Sequence, residues 1–202
     1  MIGLLPDTLN VGGKDYKICT DYKIALLIFE AFNDPDLSEA EKGAVMLESL
    51  YDDFTQIPPE YLEEAMRKAA LYLDGVQEDG GTLDVESKNT NEPVLISWEQ
   101  DEKMIFAAVN KVAGCEVRAL PALHWWSFLG YFSEMGECLL NTVISIRRKK
   151  AKHKPLEKWE KEFYKNNRDI IDIKKKYSAS EQARRDYLNA LLNGEIKEGE
   201  HG

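Results

Sequence analysis

The chain has 202 residues, 44% apolar and 31% charged, and its 26 Lys and Arg stand against 36 Asp and Glu for a formal net charge of −10. That length buries a sizeable core, the composition is that of an ordinary globular chain, and the acidic balance repels phosphate backbones, which excludes nucleic acid as the expected partner. No apolar run approaches the roughly 20 residues that a bilayer span needs, residues 1–7 lack the features of a signal peptide, and Cys19, Cys115 and Cys138 are too few and too scattered for a disulfide or zinc framework, so a reducing cytoplasm is expected.

Residues 4–19 read as a hairpin. Leu9 and Val11 alternate, Gly12, Gly13 and Lys14 turn the chain, and Tyr16 and Ile18 alternate on the return. Nothing of a phosphate loop follows the two glycines. So small a sheet needs a neighbour, and it is predicted to pack on the helix from Asp21 to Phe32. In that helix Ile24, Leu27, Ile28 and Ala31 are expected to be buried. Ser38 and Glu41 have the spacing of a capping box, and the helix they start carries Ala44, Leu47, Tyr51 and Phe54 on one face. After Pro58 and Pro59, Leu62, Ala65, Met66, Ala69 and Leu73 mark a third amphipathic helix.

Residues 74–95 are acidic and glycine-rich, the pattern of a flexible loop, and their carboxylates do not have EF-hand spacing. From Trp98, helical spacing resumes through Ile105, Ala108 and Val112 to a stop at Gly114. The stretch His124–Phe132 is apolar on almost every side, so His124, Trp125, Trp126 and Phe128 are expected at the centre of the core. Leu139, Leu140, Val143, Ile144 and Ile146 form the next helix, which ends in Arg147–Lys150. Asp101 shares a face with Ile105 and Ala108. Burial there demands a partner, and His124, Arg118 and Arg147 are the candidates.

The C-terminal third reverses the charge. Residues 1–100 hold 21 acidic and 7 basic side chains, whereas Ile144–Tyr177 holds 13 basic and 5 acidic ones. Leu156, Trp159, Phe163, Asn166, Ile170, Ile173 and Tyr177 follow a 3-4 spacing, which reads as a heptad seam. It docks either on the protein's own core or on a partner, and its apolar members are the candidate partner-binding residues. A last helix, Ser180–Leu192, stops at Gly194, and the final residues are expected to fray. The fold class that emerges is mainly α, a helical bundle with a small N-terminal β-hairpin. It is divided into residues 1–73, an acidic loop 74–95, a central helical core 96–150 and a basic arm 151–202.

No catalytic constellation is legible. His124, His153 and His201 lack metal-ligand spacing and an adjacent nucleophile motif, and no GxSxG, Walker or dinucleotide loop occurs. The expectation is a protein that is not an enzyme, with no cofactor and no metal. His124, beside Trp125, reads as a structural residue.

Several of these features occur together in a known family. Leu5, Pro6 and Asp7, then Val11, Gly13, Lys14, Tyr16, Ile18, Thr20 and Asp21, then Gln100, Asp101 and Ile105, then Leu123–Trp126 with Phe128, and finally Ile146 and Arg147 follow in its order and spacing. Over Leu5 to about Tyr177 the chain resembles the "gp-fifteen" proteins of tailed phages and prophages of Gram-positive bacteria. In those genomes the gene lies between the major tail protein and the tape-measure protein, the slot of a tail assembly chaperone. The resemblance implies a non-enzymatic helper in the host bacterial cytoplasm that binds the tape-measure protein during tail morphogenesis. Self-association and contact with the tail-tube protein are further expected interactions, without nucleic acid or membrane. The alternative is a structural tail or head–tail connector component retained in the virion.

Overall fold

The computed structural model describes residues 3–76 and 93–193. Strands β1 (Thr8–Val11) and β2 (Lys14–Lys17) form an antiparallel hairpin in which Thr8 faces Lys17 and Val11 faces Lys14. Gly12 (φ 57°) and Gly13 (φ 80°) are both left-handed, as the two-residue loop that matches strand twist requires. A Cβ on Gly12 would also meet the Tyr61 ring at 2.8 Å, so conformation and space both restrict this position to glycine.

Nine α-helices follow among the described residues. They are α1 (Tyr22–Phe32), α2 (Glu39–Leu50), α3 (Leu62–Leu73), α4 (Glu102–Ala113), α5 (Trp125–Ser133), α6 (Leu139–Ala151), α7 (Lys158–Asn166), α8 (Arg168–Ile171) and α9 (Ala179–Leu192). The fold is the expected helical bundle with an N-terminal hairpin. Local signals explain the boundaries. Asp21 caps α1 by accepting from the Lys23 N–H at 2.8 Å, Ser38 and Glu41 form the capping box of α2, and left-handed Gly114 (φ 69°) closes α4. The expected acidic loop falls, for residues 77–92, outside the described residues, as do the stop at Gly194, the frayed tail and His201.

One cluster of buried apolar side chains runs from Val11 to Ile144, so residues before and after the acidic stretch share a core. Its centre is α5. Trp125 and Phe128 are fully buried, Trp126 is half-buried, and Phe128 stacks on Tyr22 with ring centroids 4.8 Å apart. The two adjacent indoles also do polar work. Trp125 Nε1 donates to the Leu73 carbonyl and Trp126 Nε1 to the Tyr72 carbonyl, each at 2.9 Å. These oxygens belong to the last turn of α3, where carbonyls run out of helical donors; the Tyr72 oxygen also accepts from the Gly75 N–H at 3.0 Å. His124 caps α5: its Nδ1 accepts from the Trp126 N–H at 3.0 Å, which leaves Nε2 to donate to the Pro6 carbonyl at 2.9 Å. It thereby fixes the chain before the hairpin to the start of α5.

The packing corrects several expectations. The hairpin lies on α3 rather than α1. The Gly12 N–H donates to Glu64 at 3.1 Å, and the Lys68 ammonium donates to the Asn10 carbonyl. Leu27 is 50% exposed, because α1 buries the opposite face through Tyr22, Ala25 and Ile28. Ala44 is exposed because α2 turns Met46, Leu47 and Leu50 inward, in line with Gly43, whose bare Cα lets the Met66 sulfur approach. Val112 in the last turn of α4 and Leu139 at the first position of α6 lie at helix ends and are exposed. Tyr51 lies beyond α2 as its C-cap, yet it is buried, and its hydroxyl donates to the Ala65 carbonyl at 3.0 Å.

Replacing Trp125 tests the centre of the core. Trp125→Ala removes both a buried ring and the α3 cap, and is expected to cost about 3–5 kcal/mol in urea denaturation. Trp125→Phe keeps most of the packing and leaves the Leu73 carbonyl unpaired, for a loss of about 1–3 kcal/mol. If the two variants were equally stable, ring burial would not be the larger contribution.

Candidate partner-binding surface

Asp101 is completely buried just before α4, and its partner is Arg147 of α6. The pairing is bidentate, with Nη1 donating to Oδ2 at 2.5 Å and Nη2 to Oδ1 at 2.8 Å. The remaining guanidinium hydrogens reach the carbonyls of Ile171 (2.7 Å), Leu95 (2.9 Å) and Ile170 (2.7 Å). Asp101 Oδ2 also accepts from the Ser97 N–H at 2.9 Å. Every N–H of the arginine is thus used, which is what a desolvated guanidinium needs. Of the three candidate partners, Arg118 instead pairs with Glu116 on the surface, and His124 is occupied at α5.

The C-terminal third is not one heptad helix. Helix α7 stops at Asn166, and Asn167 leaves helical conformation (φ −134°, ψ 37°) while its amide donates back to the Phe163 carbonyl at 2.9 Å. Two consecutive asparagines offer the backbone such local alternatives, which periodicity alone does not register. After the single turn of α8 the chain runs on without helix to α9. The apolar seam is therefore dispersed. Leu156, Phe163 and Ile170 pack on a second small cluster made by Val143, Ile146 and Ile171. Trp159 is 52% exposed, with its indole donating to Glu157 at 2.9 Å. Ile173 lines a groove on the other side, and Tyr177 lies 4.0 Å beneath the Arg185 guanidinium.

Much of the basic charge is paired within the chain. Lys149 donates to the buried Glu160 carboxylate at 2.6 Å, and Lys150 pairs with Asp172. Burial pushes the Glu160 carboxyl up, but the Lys149 ammonium and the Glu157 N–H outweigh it and hold the group below the usual carboxylate value. Lys176 pairs with Glu99, while Gln100 donates to the Asp169 and Asp172 carbonyls and accepts from the Lys174 N–H at 3.0 Å. These bonds strap residues 169–176 across the start of α4.

Between that strap, α1 and residues 94–98 lies an open groove of about 820 Å³. Leu26, Leu27, Val94, Trp98, Phe106 and Ile173 form its apolar lining, and Lys23, Arg118 and Lys174–Lys176 make its rim basic, facing Glu30, Glu99 and Glu102. No expected site residue except Ile173 belongs to it. The one available signal was the excess of apolar residues in α1, where Ile24, Leu26, Leu27, Ile28 and Phe29 outnumber what a single buried face holds.

The family described as Bacteriophage Gp15 protein matches residues 1–177. The chain belongs to that family. It is a bacteriophage protein, and the match includes the groove, the Asp101–Arg147 pair and both Trp indoles, ending where α9 is about to begin. No curated protein and no solved structure matches the chain significantly. Among the described residues no helix of this family member is long and apolar enough to cross a membrane, and no three His, Cys, Asp or Glu side chains are grouped to hold a metal ion.

Two measurements test the strap. Arg147→Met leaves Asp101 buried without a counter-charge and is expected to cost about 3–5 kcal/mol of unfolding free energy. The double variant Asp101→Leu with Arg147→Met is expected to recover a large part of that loss, and no recovery would point to the backbone carbonyls as the greater need. Glu160→Gln is expected to cost about 1–3 kcal/mol at neutral pH. Because the folded carboxyl titrates below its ordinary value, its contribution is complete above that value and disappears as pH falls through the folded one, so wild type and variant should converge once the pH lies below the folded value. A constant gap would contradict an ionised buried carboxylate.

Proposed function

We propose that the chain is a phage tail assembly chaperone that binds the tape-measure protein, acting in the host cytoplasm without enzymatic chemistry. The family match over residues 1–177, together with the gene position that the resemblance implies, supports the reading. The observation that carries it in this molecule is the open apolar groove with Leu27 and Val94 standing in solvent.

A tape-measure protein is a long helical chain whose apolar stripes aggregate unless covered. A groove lined by Leu26, Leu27, Trp98 and Phe106 suits such a stripe, taking side chains one helical turn apart. Three leucine-sized anchors contribute roughly 5–9 kcal/mol, which the roughly 4–15 kcal/mol cost of association largely offsets. Single-site binding is therefore weak and reversible. Many copies along one client supply the avidity, and the net charge of −10 keeps the coated client soluble. Weak individual sites also let the coat leave when tail-tube subunits arrive.

Co-expression with the tape-measure gene product tests the proposal. The wild-type chain should keep the client soluble and co-purify with it. Leu27→Arg changes a half-exposed side chain and should leave the melting temperature within a degree or two, yet reduce capture about tenfold or more. Equal capture by the variant would remove the groove from the proposal, and an insoluble client in both cases would remove the chaperone.

A further inference from the structure

One wall of the groove is a stretch of chain with almost no structure of its own. Between α8 and α9, residues 172–178 are neither helix nor strand, yet Ile173 and Lys174–Lys176 line the groove. Among the described residues, the Lys174 N–H is the one main-chain group between Ile173 and Tyr177 that makes a hydrogen bond, and it donates to Gln100 Oε1 at 3.0 Å. The exposed Lys176–Glu99 pair adds little hold.

Gln100 is placed to carry this wall. It sits in the turn before α4, where its N–H donates to the Ser97 hydroxyl at 3.2 Å, while the Ser97 N–H and carbonyl are both bonded to Asp101. Trp98 of the same turn stacks on Phe29 and lines the groove. From that closed turn the Gln100 amide makes three hydrogen bonds to the strap: Nε2 donates to the carbonyls of Asp169 (3.2 Å) and Asp172 (3.0 Å), and Oε1 takes the Lys174 N–H. Carbonyls only accept and an N–H only donates, so the match needs two donors and an acceptor at one side-chain tip. Glutamate lacks the donors, leucine lacks both, and asparagine is one methylene shorter.

Arg147 and Gln100 thus hold neighbouring lengths of one chain with different consequences. Arg147 is buried and takes the carbonyls of Ile170 and Ile171. Asp172 is also gripped by Lys150 and by the Tyr164 hydroxyl at 2.9 Å. Past Asp172 those anchors end, and the half-buried Gln100 amide is what remains for the groove's wall. Losing it should leave the core intact and let the wall drift.

We propose that Gln100 is a positioning residue of the groove. On the reading that the groove is the client's site, it acts on the bound partner only through the strap, by keeping Ile173 across the groove from Leu26 and Leu27 of α1. A wall ordered in advance spares the binding step the entropy of ordering it.

The wall is first read without a client. In hydrogen exchange followed by NMR, the Lys174 amide should be protected in wild type and exchange about tenfold or more faster in Gln100→Leu, while amides of α4 and α6 keep their rates. Gln100→Glu, which keeps an acceptor for Lys174 but turns oxygen toward two carbonyls, should fall between them. Co-expression with the tape-measure gene product then reads function. Capture should fall about fivefold or more in Gln100→Leu, with the melting temperature nearly unchanged. Added to a chain that already carries Ile173→Ala, Gln100→Leu should lower capture less than it does in wild type, because both act through the same wall. An unprotected Lys174 amide in wild type, or equal protection in Gln100→Leu, would overturn the proposal. Full capture by Gln100→Leu, equal losses in the two backgrounds, or lost protection throughout α4 and α6 would overturn it too, the last by making the amide a support of the fold alone. A wild type that captures no client would end the chaperone reading, and this role with it, whatever the Lys174 amide does.

Discussion

One buried guanidinium organises the C-terminal half of this molecule. Arg147 satisfies the fully buried Asp101 and, through its other hydrogens, three backbone carbonyls from two segments that never touch each other in sequence. A lysine has the charge but not the planar fork, and an apolar side chain has neither. The two carbonyls of α8 could not sit at this depth without donors. The arginine therefore decides the path of everything after Ile171. The strap, the lysines it brings to the groove, and the point from which α9 departs all depend on where those carbonyls are held.

Features set by near neighbours were legible in the sequence. The Gly12–Gly13 turn, the Ser38–Glu41 box, the Asp21 cap and the Gly114 stop each act over a few residues, and each formed as its chemistry implies. The all-round apolar stretch after His124 likewise became the centre of the core. Legibility failed where a face depends on what arrives from afar. The heptad spacing after Leu156 was real as a pattern, but Asn166 and Asn167 end the helix, and Ile171, outside that pattern, is the residue the second cluster buries. The spacing named three partners for Asp101 and could not choose among them. The groove was hidden for a related reason: α1, residues 94–98, α4 and the strap each contribute a few side chains, and no one segment carries a recognisable motif.

The uneven charge along the chain takes on a different meaning in three dimensions. Read linearly, 13 basic residues between Ile144 and Tyr177 look like a surface awaiting an acidic partner. In the fold, Lys149, Lys150 and Lys176 are already engaged with Glu160, Asp172 and Glu99. Most of this pairing is half-exposed and contributes little to stability. Its role is geometric, since it holds the strap flat across the start of α4 and brings basic side chains to one edge of an otherwise acidic molecule.

The two indoles that close α3 lie 52 and 54 residues downstream of the carbonyls they satisfy. A ribosome delivers the chain from its N-terminus, so α3 emerges with the Leu73 carbonyl waiting for its indole and with the space for Trp125 and Trp126 unfilled. The hairpin and the first three helices can gather in that interval, but they cannot complete their packing until α5 has cleared the exit tunnel. The N-terminal half of the body therefore cannot finish packing before α5 is made, and a chain interrupted before that point is left with an open apolar wound where its centre should be.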